Sequence, residues 1–246
     1  MLAAEEIKAC CAVAYSSPTA RLLLGDSFHP GGRALTSRLV RALRAGPDDL
    51  VVDVACGPGT SALQLARETG CAVIGVDLVP PGTPSRDPRV RFIRGDAEAL
   101  PLPDVSVDGA LCECALCTFP DKQAAASELT RVLRPGARLA LSDLTARGDE
   151  LPQSLRSLSA WVACVGDARP LDEIALLLEW AGLVVEETEV RDDALWSLLD
   201  RVEARLAVAA MLAGDRPAVW GELLREARRA LDRGLLGYGV VIARRP

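Results

Sequence analysis

Val51-Val52-Asp53-Val54-Ala55-Cys56-Gly57-Pro58-Gly59-Thr60 is a short apolar run that closes on an acid, then a Gly-x-Gly turn, then a helical pattern over residues 61–67. Such a strand–turn–helix opens a nucleotide-binding α/β unit. Gly57 and Gly59 let the backbone come close to a ligand, where a Cβ would block it. A Gly-x-Gly alone is weak evidence, but here Val73-Ile74-Gly75-Val76-Asp77 follows, a second buried strand ending in an acid. Asp77 lies roughly 20 residues downstream, the spacing at which a carboxylate reaches ribose hydroxyls. A third signal, Gly95-Asp96-Ala97-Glu98, follows the strand expected over residues 90–94.

The order Asp53…Gly57-x-Gly59, Asp77, Asp96-Ala97, then Arg134-Pro135-Gly136 before a strand, resembles the class I S-adenosylmethionine-dependent methyltransferases over residues 48–192. The resemblance implies a doubly wound, mostly parallel seven-stranded α/β sheet, Rossmann-like, with S-adenosylmethionine as cofactor. Ala55 departs from the family, which most often has Gly there; Ala is small enough for the turn to survive. The third Gly of a dinucleotide fingerprint and a phosphate-anchoring Arg or Lys are both missing, which argues against NAD.

Composition narrows the class. The 246 residues, half of them hydrophobic, can bury a full α/β core. A net charge of −6 argues against a nucleic-acid partner, which needs a basic footprint, and 4% aromatic content gives little for base stacking. No apolar run is long enough to span a bilayer. The segment Met1-Leu2-Ala3-Ala4-Glu5-Glu6 is unlike a signal peptide. A cytoplasmic location follows, with the eight Cys as reduced thiols.

Along the chain, residues 2–24 read as helical with a break at Ser16-Ser17-Pro18. Gly25–Gly32 is a loop, and a helix runs over 33–45. Strands are expected at 50–54, 72–77, 90–94, 107–112 and 137–143, and helices at 60–69 and 121–134, an alternation that makes a parallel sheet covered on both faces. A helix over 170–181 ends at Gly182, and a strand over 183–190 follows. Residues 193–233 form two amphipathic helices broken at Gly214-Asp215-Arg216-Pro217, before a closing strand over 237–243. This divides the chain into an N-terminal helical segment and lid (1–46), a cofactor-binding core (47–192), a helical insertion (193–234) and the closing strand of the core (235–246). The insertion can pack on the sheet, cap the substrate pocket or form a dimer surface; packing is the default, because an unpaired apolar stripe would face water.

Cys112-Glu113-Cys114-Ala115-Leu116-Cys117 sits at the carboxyl end of the fourth strand, the edge that holds ligands in open α/β sheets. Side chains at i and i+2 share a face, so Cys112 and Cys114 should point the same way. Cys114 before Phe119-Pro120-Asp121-Lys122-Gln123, with Arg131-Val132-Leu133-Arg134-Pro135-Gly136 and Ser142-Asp143, resembles the arsenite methyltransferases. These carry a substrate-binding Cys at that spacing and a second in a Trp/Cys/Gly segment, here Trp161-Val162-Ala163-Cys164-Val165-Gly166. Cys56 and Cys71 read as packing residues, and Cys117 leans the same way. Cys10 and Cys11 are adjacent on a helix and face different ways, so at most one lines the site. Zinc is disfavoured, because no Cys-x-x-Cys pair or ligand-spaced His is present.

The resemblance implies a division of labour. Asp77 holds the ribose hydroxyls, Asp96 accepts from the adenine amino group beside the Ala97 N–H, and Gly57 and Gly59 shape the turn under the methionine portion. Asp53, Ala55 and Leu78 belong to the same cofactor set. Cys112 and Glu113 touch it through backbone groups, and Tyr15 closes over it. Cys114 and Cys164, with Cys10, Cys11 or Cys112, would bind As(III), a soft centre that prefers sulfur. A cellular thiol would act as reductant.

His29, the single histidine, has two readings: a base over the site, or a loop residue before the helix at Arg33, the latter preferred. The reading taken is methyl transfer to thiolate-bound arsenic; the alternatives are methyl transfer to carbon, oxygen or sulfur of a small organic metabolite, and a non-catalytic thiol protein that binds soft metals.

Overall fold

The computed structural model describes residues 4–25, 27–147, 151–156, 165–213 and 218–246, with side chains 153, 156, 209–213 and 218–220 left aside. Helix α1 (Ala4–Ser16) is followed at once by α2 (Pro18–Leu24). The break has a local cause: Ser17 stays extended, its Oγ accepts from Ala20 N at 3.1 Å, and Pro18 takes the first helical position, where no N–H is needed. Helix α3 (Gly32–Leu43) then leads into the sheet.

Strands β1 (Leu50–Val54), β2 (Ala72–Asp77), β3 (Val90–Arg94), β4 (Val107–Glu113) and β5 (Leu133–Ala146) pair in parallel. Helices α4 (Thr60–Thr69), α5 (Lys122–Val132) and α6 (Leu171–Trp180) cover the faces. Strand β6 (Val184–Val190) lies at the edge, and β7 (Leu236–Arg244) enters antiparallel between β5 and β6. Among the described residues the order is β3-β2-β1-β4-β5-β7-β6. The order reverses between β1 and β4, and a crevice outside the carboxyl ends of such strands receives the ligand.

Strand β5 starts earlier than the expected 137, and α5 stops short of 134. Leu133 is wholly buried and pairs with Val107. Pro135 also disfavours a helical Arg134 before it.

The core divides by strand alternation. Val51, Val73 and Leu111 pack with Leu35 and Leu39 of α3 and Leu65 of α4, while Val52, Ile74 and Cys112 pack with Leu129 of α5 and Leu178 of α6. Helices α7 (Asp192–Ala213) and α8 (Ala218–Asp232) lie between β6 and β7 in the chain. Leu195, Leu199, Leu224 and Ala227 add to the α3/α4 side of the core. Arg205 Nη1 donates to Leu23 O at 2.8 Å, which ties α7 to α2. Among the described residues no helix is long and apolar enough to cross a membrane.

Candidate functional site

The turn after β1 is shaped for close approach. Gly59 has φ +78°, and a Cβ there would lie 2.2 Å from Phe92 Cζ, so only glycine fits. Gly57 has φ +51°, and a Cβ on it would meet nothing within 4 Å. That open side faces a cleft of about 360 Å³ at the strand ends. Ala55 also has positive φ, +56°, the conformation for which the family uses Gly.

The acids behind the turn are held in place. Asp77 Oδ2 accepts from Gly57 N at 2.8 Å and Oδ1 from Val79 N at 2.9 Å. Asp96 Oδ1 accepts from Glu98 N at 2.9 Å, and its Oδ2 accepts from Lys8 Nζ of α1 at 2.7 Å. Asp53 is 2% exposed and its Oδ2 has no hydrogen-bond partner. Burial, with the charges of Glu113 and Asp77 added, holds the Asp53 carboxyl well above the ordinary range.

Tyr15, Asp53, Ala55, Gly57, Asp77, Leu78, Asp96, Ala97 and Glu113 all line this cleft; Gly59 and Cys112 do not. The residues present fit a nucleoside that carries an amino-acid tail. Gly57 leaves room for the tail, and the orphaned Asp53 oxygen awaits a donor such as its ammonium.

The cysteines separate more than their spacing suggests. Cys112 is wholly buried among the α5/α6-side residues, and burial pushes its thiol well up. Cys114 does not share its face. Strand β4 ends at Glu113, Cys114 takes φ +53°, and its side chain packs on the opposite, α3/α4 side. Its N–H donates to Ser142 O at 2.7 Å, which pins the turn to β5. The i, i+2 rule holds only within an extended strand, and the left-handed residue cancels it. Cys11 lines the cleft, Cys10 lines neither this cavity nor the next, and Cys56 and Cys71 are buried. Burial drives the Cys56 thiol strongly upward as well. Cys164, with Trp161, lies outside the described residues.

His29 stands in the loop before α3, as the sequence reading preferred. It is 5% exposed, lines the cleft, and places Nε2 3.6 Å from Glu113 Oε1. Thr36 Oγ1 donates toward both Glu113 oxygens, at 3.1 and 3.2 Å. Sequence analysis passed over Thr36 and Lys8. Nothing in the local sequence singles them out, since their partners Glu113 and Asp96 lie 77 and 88 positions away.

A second cavity of about 410 Å³ adjoins the first. Tyr15, Ser17, Phe28 and Cys114 line both. The Tyr15 and Phe28 rings lie 6.2 Å apart at the seam. Its other walls are almost wholly apolar: Leu23 and Leu24 of α2, Leu195, Leu198, Leu199, Val202 and Leu206 of α7, and Leu223, Leu224 and Ala227 of α8. Residues of the two inserted helices thus share this cavity with Cys114.

A family model described as a methyltransferase domain matches residues 52–141. The chain is 30% identical over 179 residues to methyltransferase GfsG of Streptomyces halstedii, covering 68% of this chain and 64% of that protein. It is 30% identical over 190 residues to an arsenite methyltransferase of Halobacterium salinarum, covering 70% and 48%. It is 30% identical over 178 residues to O-methyltransferase rstn1 of Aspergillus nomiae, covering 68% and 79%. The chain thus spans about half to two thirds of the length of the first two relatives. Among solved structures, the [4+2]-cyclase SpnF superposes with a TM-score of 0.75 at 20% identity, covering 99% of this chain and 96% of that one, a likeness of fold.

Proposed function

The chain belongs to the class I S-adenosylmethionine-dependent methyltransferases, and on that premise we propose that it transfers a methyl group to a small, largely apolar organic acceptor. S-adenosylmethionine, when bound, supplies an electrophilic methyl on a sulfonium. In this reading Asp77 takes the ribose hydroxyls, Asp96 and the Ala97 N–H face the adenine, and Asp53 and Glu113 lie toward the methionine end. Residues 1–46 serve as the lid, 47–192 as the cofactor core, 193–234 as the acceptor cap and 235–246 as the closing strand. A cytoplasmic setting with reduced cysteines belongs to the same reading.

The observation that carries it is the leucine-lined cavity that meets the cofactor cleft at Tyr15, Phe28 and Cys114. Pockets of this size and lining take uncharged organic molecules. An acceptor seated there is held against the cleft by packing, so positioning supplies most of the acceleration. The test is calorimetry with S-adenosylhomocysteine, followed by methylation assays on a panel of apolar acceptors. Asp77→Ala should weaken cofactor binding by about 1.5–3 kcal/mol, the range for hydrogen bonds to a charged group. Absence of any cofactor affinity in the wild type would overturn the reading.

A second reading, methylation of As(III), has one observation in its favour: Cys11 and Cys114 line the same cleft. As(III) would be substrate, with a thiol as reductant. Incubation with As(III), S-adenosylmethionine and glutathione should then yield methylated arsenic, lost in Cys114→Ser. Equal turnover by wild type and Cys114→Ser excludes it.

A further inference from the structure

We infer that the acceptor's reacting group is a hydroxyl and that His29, paired with Glu113, takes its proton; the inference rests on the methyl-transfer reading and deepens it. The ring is oriented by its surroundings. Nδ1 lies 3.0 Å from Pro30 O, and a carbonyl only accepts, so Nδ1 carries hydrogen. In the neutral ring Nε2 therefore holds the lone pair. Nε2 lies 3.3 Å from Thr36 Oγ1 and 3.6 Å from Glu113 Oε1.

Thr36 has one hydroxyl hydrogen, and the Glu113 carboxylate draws it at 3.1 and 3.2 Å. The Thr36 oxygen then turns lone pairs toward Nε2. The ring is thus surrounded by acceptors: the Pro30 carbonyl from its own loop, the Thr36 oxygen from α3 and the Glu113 carboxylate from the end of β4. A histidine that only packs has no use for a buried carboxylate at Nε2.

Position completes the argument. His29 and Glu113 line the cofactor cleft, while Phe28 lines both cavities and Pro30 lines the acceptor cavity. His29 thus lines the cofactor cleft between Phe28, which both cavities share, and Pro30, which lines the second. The step balances: the hydroxyl oxygen forms the new bond to the methyl carbon, the methyl–sulfur bond pair returns to sulfur to leave a neutral thioether, and the hydroxyl proton passes to Nε2. Glu113 then pairs with the imidazolium until the proton leaves to water.

Two acceptors of one shape test the assignment. 2-Naphthol must lose a proton during transfer, whereas 2-naphthalenethiol is largely ionised near neutral pH and needs no base. Wild type should methylate both. His29→Gln should lower kcat/KM on 2-naphthol by about 10²–10³-fold and leave 2-naphthalenethiol within about threefold. A folded variant that loses both activities equally, or neither, overturns the base assignment and leaves the methyl-transfer reading standing. Methylation of the thiol but not of 2-naphthol by wild type also overturns it. Methylation of neither, in a protein that binds S-adenosylhomocysteine, overturns the apolar-acceptor reading beneath it.

If a variant fails to fold by circular dichroism, the wild type decides by a readout other than turnover. Its single histidine gives one set of imidazole ¹⁵N signals. Adding 2-naphthol to the S-adenosylhomocysteine complex should shift Nε2 while Nδ1 stays protonated. An unmoved Nε2 overturns the proposal.

Discussion

Lys8 and Asp96, 88 positions apart in the chain, meet at 2.7 Å, and the same ammonium reaches Glu98 Oε2 at 2.6 Å. One side chain thus clamps α1 to the loop after β3, across the mouth of the cofactor cleft. Burial pulls the Lys8 ammonium down, but its hydrogen bonds to Asp96 and Glu98 outweigh this and hold it above its ordinary range. Lys8→Met should leave two neighbouring carboxylates unpaired and loosen α1 by about 1 kcal/mol, as for a surface ion pair of good geometry. Limited proteolysis reads this as roughly fivefold faster cutting within α1. An unchanged cleavage rate would mean that apolar packing alone seats the helix.

Asp53 should trade stability for binding. Its folded carboxyl titrates above the unfolded one, so between the two values the folded state holds more protons. Stability contributed by this group is then lost as pH rises through the ordinary carboxylate range. Asp53→Asn should stabilise the protein at pH 7 by at least ~1 kcal/mol, the worth of one pKa unit, and flatten the decline between pH 4 and 7. Urea denaturation across that range measures both, and S-adenosylhomocysteine affinity should fall in the same variant. A variant no more stable than wild type at pH 7 would contradict the assignment.

Ala55 occupies a left-handed conformation at φ +56°, which costs a residue with a Cβ roughly 1–2 kcal/mol. Glycine removes that cost and adds unfolded-chain entropy worth about 0.4–1 kcal/mol. Ala55→Gly should therefore stabilise by up to ~1 kcal/mol, a rise in Tm of about 2–4 °C at this size. Calorimetric melting checks it, and a lower Tm would show that the Ala methyl packs to more effect than the backbone is strained.

Leu198 of α7 faces the acceptor cavity and is only partly buried. Leu198→Trp should fill that space and lower acceptor kcat/KM by about 10-fold or more, with S-adenosylhomocysteine affinity unchanged, because a misplaced acceptor loses positioning. Equal loss of cofactor affinity would place the effect on the wrong side of the Tyr15–Phe28 seam.

The elements were legible because each depends on neighbours in sequence. Buried runs such as Val51–Val54, the capping Ser17-Pro18 and the helical leucine stripes after residue 192 announce themselves within a few positions. The places of the acids at the cleft were legible for the same reason, since Asp77 ends β2 and Asp96 stands two residues after β3. The arrangement of the thiols was not. Alternation puts Cys112 and Cys114 on one face, and one left-handed residue sends them to opposite sides of the sheet. The surroundings of His29 were not legible, because its burial depends on where α3 delivers Thr36 and where β4 delivers Glu113, partners 7 and 84 positions away. The acceptor cavity is further removed still, for its walls come from α1 and α2 at one end of the described chain and α7 and α8 at the other.

The placement of β7 between β5 and β6 bears on how the chain matures on the ribosome. Synthesis delivers β6 before α7, α8 and β7, yet in the described sheet β6 pairs with β7 alone. At some 5–20 residues per second, β5 and β6 wait seconds with open edges. Strand β6 carries Glu186, Glu187 and Glu189, and like charges on an unpaired strand repel a second nascent copy. Once β7 is in place, these acids pair with Arg38, Arg138, Arg191 and Arg244. The same residues that protect an unfinished edge from aggregation thus become the surface ion pairs of the finished sheet.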